Sequence, residues 1–326
     1  MEVFDPRGDL ELVIGPEKTV FQVCSRALAR SSPVWDVMLY GSFAEEDSVE
    51  GLRLALHAAH GNLTEIPPVL PQATLYAAVT VADKYDMVEC LTPWWRGWID
   101  ALPDPRPDPH VLVQRLLIFC LLGDECRYRM TLKILLSCSR RDPKSGSIWS
   151  DRQEYDLRQD SDLDYLEISP HLESARHTLF SAVGKHMRHA MERLINHEAS
   201  CCKSKRNKKW KRTCDCAMLG AVLRMATAME VEAWFERGRD DDFSVHTSDS
   251  LFSLIVQLEN MRHSVIDESG MSGKQNGAHR TCTPWPPFEI IDIWAEHPVE
   301  DLFPINPSQF LTRCDRLAIG GTDGPR

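Results

Sequence analysis

Residues 21–45 read FQVCSRALARSSPVWDVMLYGSFAE, and the rest of the chain is organised around them. Phe21 and Val23 fall on one side of a strand end. The pattern then turns helical, with Ala27, Leu28 and Ser31 at one-turn spacing. Ser32-Pro33 restarts the helix: a capping hydroxyl precedes a proline at the first helical position, where no N–H is needed. Val34, Val37 and Met38 form the next apolar stripe, and Gly41 is the expected stop. The stretch predicts a strand followed by two short helices in a tight corner.

The flanking residues fit a small α+β domain. Leu10, Leu12 and Ile14 alternate as a strand, and Gly15-Pro16 turns it back into residues 20–23 as a hairpin. GSFAEEDSVE is polar and acidic and belongs on the surface. LRLALHAAHG follows as a helix, with Leu52, Leu56 and Ala59 on one face and Gly61 ending it. Residues 66–70 are extended, because proline disfavours helix in the residue before it. Leu75, Ala78, Val79 and Ala82 then mark a helix. Thr92-Pro93 opens a further one, with Trp95, Trp98 and Ile99 inward.

The order Asp9, Leu10, Leu12, Ile14, then Phe21, Val23, Leu28, Ser31-Ser32-Pro33 and Trp35 resembles the BTB/POZ family, a protein-interaction fold. Cys24 stands where that family usually has histidine, and Trp35 where phenylalanine is commoner. The extended Ile66-Pro67-Pro68 and the run LYAAVTVADKYDM look like the fungal branch, in which the segment matching Ala82–Tyr85 lies in a helix near the domain's end. The resemblance covers about residues 9–102. It also implies a strand between the acidic loop and the helix of Leu52, yet Val49-Glu50 runs straight into Gly51-Leu52. Either a surface loop is trimmed there or the sequence reflects an imperfect gene model. A strand lost from a small sheet leaves a neighbouring edge exposed.

The 326 residues suffice for two domains, and 43% apolar with 26% charged content is ordinary for a globular chain. A net charge of −11 argues against general nucleic-acid binding. No run of about 18 apolar residues predicts a membrane span. The acidic start MEVFDPRGDL does not read as a signal peptide. Eleven scattered cysteines read mostly as free thiols in a reducing, intracellular setting, nucleus or cytoplasm.

The fold class expected is therefore α+β: a BTB/POZ-like domain at 6–102, a proline-rich link and helical extension at 103–138, a polar and acidic loop at 139–168, and a mostly helical region at 169–326. In the extension, residues 110–122 and 125–137 read as helices, the first apolar nearly all round. In the last region Leu172, Ala175, Leu179, Val183, Met187, Met191 and Leu194 stripe one long helix. Leu219, Val222, Leu223, Ala226 and Met229 stripe a second after a loop at 200–213. Leu251, Leu254, Ile255, Leu258 and Met261 mark a third, and Phe310, Leu311, Cys314 and Leu317 a last one.

Three residue sets are candidate sites. In BTB proteins that recruit a cullin scaffold of ubiquitin ligases, a hydrophobic-any-glutamate motif follows the Ser-Ser-Pro helix. Phe43 and Glu45 fall at that position, with Met38 and Leu39 beside them, so the resemblance implies a small interface with an apolar anchor and a carboxylate at its rim. The competing reading packs Phe43 onto its own domain and leaves Glu45 solvated. The basic run Lys203, Lys205, Arg206, Lys208, Lys209, Lys211 and Arg212 reads as a nuclear import signal, as a nucleic-acid contact with Trp210 stacking, or as a solvated loop attracted to the acidic residues 150–164. His197, Cys201, Cys202, Cys214 and Cys216 bracket it and offer thiolate and imidazole ligands for zinc, against a simpler reading as free thiols near cations. His186 and His189 lie one turn apart and read as a solvated helix face. No nucleotide-binding glycine loop, GxSxG or HExxH occurs, so no reaction and no cofactor is expected. The expected partners are other proteins: a second copy of the chain or a cullin, with neither membrane nor nucleic acid favoured.

Overall fold

The computed structural model describes residues 1–39, 48–105, 108–142, 145–150, 155–196, 208–228, 231, 250–257, 290–303 and 310. It is a mixed α+β chain, mostly helical, with a three-stranded and a two-stranded sheet among the described residues. Two compact units divide it. One is built from Met1–Arg106 and His110–Leu132, and the other lies within Lys133–Ile305.

The first unit opens with a strand that sequence reasoning did not anticipate. β1 (Glu2–Val3) pairs parallel to β3 (Thr19–Val23), which pairs antiparallel to β2 (Leu10–Ile14) with Leu12 opposite Phe21. β1 therefore covers part of one edge of β3. It is tied down from several sides. Phe4 is buried against Phe21, with ring centroids 5.2 Å apart, and over His57 at 4.6 Å. Glu2 pairs with Arg53 at 3.0 Å, and Asn62 Nδ2 donates to the Phe4 carbonyl at 2.9 Å. Burial next to these groups pulls His57 below the ordinary histidine value of 6.5, while the Glu2 and Glu65 carboxylates oppose that effect.

The expected corner follows. α1 (Ser25–Ser31) begins where the Asp9 carboxylate accepts from the Ser25 N–H at 2.8 Å and from its hydroxyl at 2.7 Å. Those two bonds hold Asp9 below the usual carboxylate range. α2 (Pro33–Met38) starts at the Ser32 cap. Beyond it, α3 (Val49–His60) is capped by Ser48, whose Oγ accepts from the Gly51 N–H at 3.2 Å. The Glu50-Gly51 junction thus sits inside an unbroken helix rather than in a loop. Gly51 is required there because a Cβ would collide with the Ala77 carbonyl of α4 (Gln72–Lys84). Gly61 ends α3 in the left-handed conformation at φ 73°, as its position after the apolar stripe predicts. α5 (Trp95–Asp100) buries Trp98 and Ile99, whereas Trp95 is only half-buried. α6 (Pro109–Leu121) is buried nearly all round, as expected. Its Arg115 is itself buried and donates from Nε to Gln72 Oε1 at 2.8 Å and from Nη2 to the Pro103 carbonyl at 2.5 Å. α7 (Glu125–Cys138) follows, and Tyr128 on it meets Phe310 edge-on at 5.1 Å.

In the second unit, the described part of 139–168 is structured rather than a polar loop. β4 (Ser139–Arg141) and β5 (Ile148–Ser150) form an antiparallel hairpin, and α8 (Ser161–Tyr165) is capped by Asp160. Ile148, Leu157, Leu163 and Ile168 are all buried. Four apolar residues spread through an acidic stretch show no regular period, which is why periodicity missed them. α9 (Leu172–Ile195) buries Leu172, Ala175, Leu179, Val183, Met187 and Met191 of the stripe read from sequence, and the side chain of Leu194 lies outside the described set. Buried Arg176 on α9 donates to the Ser139 carbonyl at 2.7 Å and lies over the Phe180 ring at 4.0 Å. α10 (Lys208–Ala228) and residues 251–257 are helical. α11 (Ile290–Glu296) and α12 (Val299–Leu302) end the described part of this unit. Leu258, Met261, Leu311, Cys314 and Leu317 lie outside the described residues. No described helix is long and apolar enough to cross a membrane.

Two outcomes check this packing. Gly51→Ala should cost about 1–3 kcal/mol in denaturant unfolding, since backbone must move to admit the methyl. Gly61→Ala, where a Cβ meets nothing within 4 Å, should cost only about 1–2 kcal/mol from its positive φ. For His57, the folded protein disfavours the charged ring, so its stabilising contribution is full above pH 6.5 and is lost as pH falls below that value. His57→Leu should accordingly show a smaller drop in Tm than the parent between pH 7.5 and pH 5.

Candidate partner-binding surface

The corner is locked by one hydroxyl. Ser32 is buried, and its Oγ accepts from the Trp35 N–H at 3.0 Å while donating to the Tyr85 carbonyl. The same side chain therefore caps α2 and fastens it to the end of α4. Trp35 then stacks on Tyr85, with centroids 4.5 Å apart and planes 16° from parallel. The chain reverses just after Tyr85 through Asp86 at φ 50°, and the Met87 N–H returns to the Ala82 carbonyl at 2.6 Å. The Cys90 thiol lies 3.9 Å from the Ser31 carbonyl, and burial pushes its pKa up, so it is a packing group rather than a nucleophile.

With Trp35 turned inward, the other side of α2 faces out. Val37 is 73% exposed, which corrects its placement in an inward stripe with Val34 and Met38. A six-residue helix has one buried face, and the stacked indole occupies it. Met38 and Leu39 are half-buried at the end of the same helix. The expected anchor residues Phe43 and Glu45 lie outside the described residues. The described part of the surface is thus Val37, Met38 and Leu39, of which sequence reasoning selected two. Trp35 was the signal for the third: a residue two positions from a buried one on a helix points to the opposite side.

The basic run is divided. Lys203, Lys205 and Arg206 lie outside the described residues, whereas residues 208–212 form the first turns of α10 instead of a loop. Cations there oppose the positive end of the helix dipole. Tertiary burial of Met218, Val222 and Ala226 holds the helix regardless. Lys211 is half-buried and Arg212 exposed. The side chains of Lys208 and Lys209 lie outside the described set.

The cysteine pair is divided too. Cys214 is buried and Cys216 exposed on the same helix. Two positions apart means a rotation of about 200°, so the two thiols leave opposite faces and do not converge on one ion. His197, Cys201 and Cys202 lie outside the described residues. Among the described residues no three metal-ligating side chains are preassembled, and no disulfide joins the described cysteines.

No family model, curated protein or solved structure matches this chain.

Ser32→Ala should remove both the cap and the bond to the Tyr85 carbonyl, costing about 1–3 kcal/mol in equilibrium unfolding. Ser31→Ala, one residue earlier, removes only a bond from Ser31 Oγ to the Ala27 carbonyl and should cost under about 1 kcal/mol.

Proposed function

We propose that the first unit is a BTB/POZ-type interaction module that acts as an adaptor, joining a target protein to a cullin-based ubiquitin ligase. The observation that carries this reading is the orientation of α2. Its buried side is fixed by Ser32 and Trp35, and its outer side presents Val37 beside Met38 and Leu39, directly before the Phe43-Ala44-Glu45 motif. A short helix fastened on one side, with an exposed apolar residue on the other, suits a preorganised contact, since little side-chain or backbone entropy is lost on docking.

A second reading is a self-associating scaffold with no ligase role. The outward valines Val3 and Val13, 47% and 55% exposed on the two outer strands of the sheet, favour it. The nuclear regulatory reading has less support. An import receptor takes a basic run in extended form, and residues 208–212 are helical. No arrangement of described side chains supports an assigned reaction.

Val37→Asp tests the adaptor reading. The adaptor account predicts capture of a cullin by the parent chain and at least tenfold weaker capture by the variant, with unchanged Tm, because Val37 contributes little to the core. Failure of the parent to bind a cullin, with a concentration-dependent dimer in sedimentation, would replace the adaptor with the scaffold.

A further inference from the structure

A groove of about 600 Å³ lies in the second unit between α9 and the end of α11. His177, Lys185, His186 and His189 line it from α9, and Glu296 and His297 from the other side. Residues 177, 181, 185 and 189 recur every four positions, which sets them along one strip of the helix, with His186 next to it. Read in sequence, His186 has no acidic partner three or four residues away on α9. The fold supplies one from 110 residues away: His186 Nε2 stands 3.2 Å from Glu296 Oε2.

That separation has a second meaning. Two ligands on one tetrahedral ion, each about 2.0–2.1 Å from it, stand about 3.3 Å apart. The imidazole and the carboxylate are already at the spacing that a shared cation imposes. His189, one turn along α9, is exposed, and His297 adjoins Glu296 and is half-buried; both line the groove beside the pair. We propose that this groove binds one divalent ion of the zinc type through His186, Glu296 and a third imidazole from His189 or His297.

The donor set selects the ion class. Imidazoles with a single carboxylate suit zinc, nickel or copper, whereas calcium and magnesium require a shell of oxygens. An anionic ligand fits less well, because the Glu296 carboxylate lines the same groove as Lys185. Three ligands are not assembled in advance, so the ion draws the last one in as it binds. The open side of the groove leaves a fourth position for water. Once bound, the ion pins α11 to α9 across a long stretch of chain and favours the folded second unit by mass action. No described thiol lines the groove, which separates this site from the cysteine cluster read from sequence.

The test uses the full chain, stripped of metal and with thiols reduced. Zinc uptake is followed by calorimetry, cobalt uptake by visible absorption, and unfolding by Tm. His186→Ala and Glu296→Gln remove ligands whose side chains are about half exposed, 52% and 51%, so both variants should keep the metal-free Tm of the parent. The proposal predicts a zinc-induced rise in Tm for the parent. It predicts at least tenfold weaker zinc affinity in each variant and no change in His110→Gln, a histidine on α6. The cobalt difference spectrum between the parent and His186→Ala should lack a thiolate charge-transfer band. Equal zinc affinity in the parent, His186→Ala and Glu296→Gln, or a thiolate band in that difference spectrum, would overturn it.

Discussion

The first unit depends on a single hydroxyl in the right place. Ser32 meets the Trp35 N–H on one side and the Tyr85 carbonyl on the other, away from water. A backbone carbonyl just past a helix end needs a donor when buried, and a helix start needs an acceptor for its first amides. One serine meets both needs, so α2 cannot move without breaking the bond from Ser32 to the end of α4. Trp35 stacks on Tyr85 beside that point, and Ser32 is itself buried. The remaining features of the corner follow. Pro33 stands at the first position of α2, Leu28 and Phe21 are fully buried, and Val37 is left on the outside.

This division of labour links packing to the proposed function. A surface offered to a partner must hold its shape before the partner arrives, and α2 is too short to do so alone. Its stability is borrowed from α4 through Ser32 and Trp35. The β3 edge, by contrast, is partly closed by β1, so a partner pairing with β3 on that side would have to displace Glu2, Val3 and Phe4 from their contacts with Arg53, His57 and Asn62. The adaptor reading rests on the helix face, where Val37 is exposed, and the scaffold reading on the outer strands β1 and β2.

Much of the corner was legible because its signals are local. A capping serine before proline, a glycine after an apolar stripe, and alternation in residues 10–14 each act within a few residues. The elements that were missed are held by distant partners. Glu2–Val3 is too short to show alternation and exists because β3 offers an edge and Phe4 finds a pocket. The hairpin of β4 and β5 rests on scattered apolar residues and on the distant Arg176. α10 starts inside a basic run that opposes helix formation and is carried by burial further along. The pairing of His186 with Glu296 crosses 110 residues, and nothing near either one announces it. Gly51 is the reverse case: a visible residue beside an apparent gap, whose reason is the approach of Ala77 from another helix.

The most direct measurement is native-state hydrogen exchange at the Trp35 amide, the group that donates to Ser32. If the serine fastens α2 to the end of α4, this amide exchanges only with global unfolding of the first unit, as slowly as the amides at the centre of α3. Exchange at the rate of an unprotected peptide, with α3 still protected, would show that the corner opens by itself and would contradict the account.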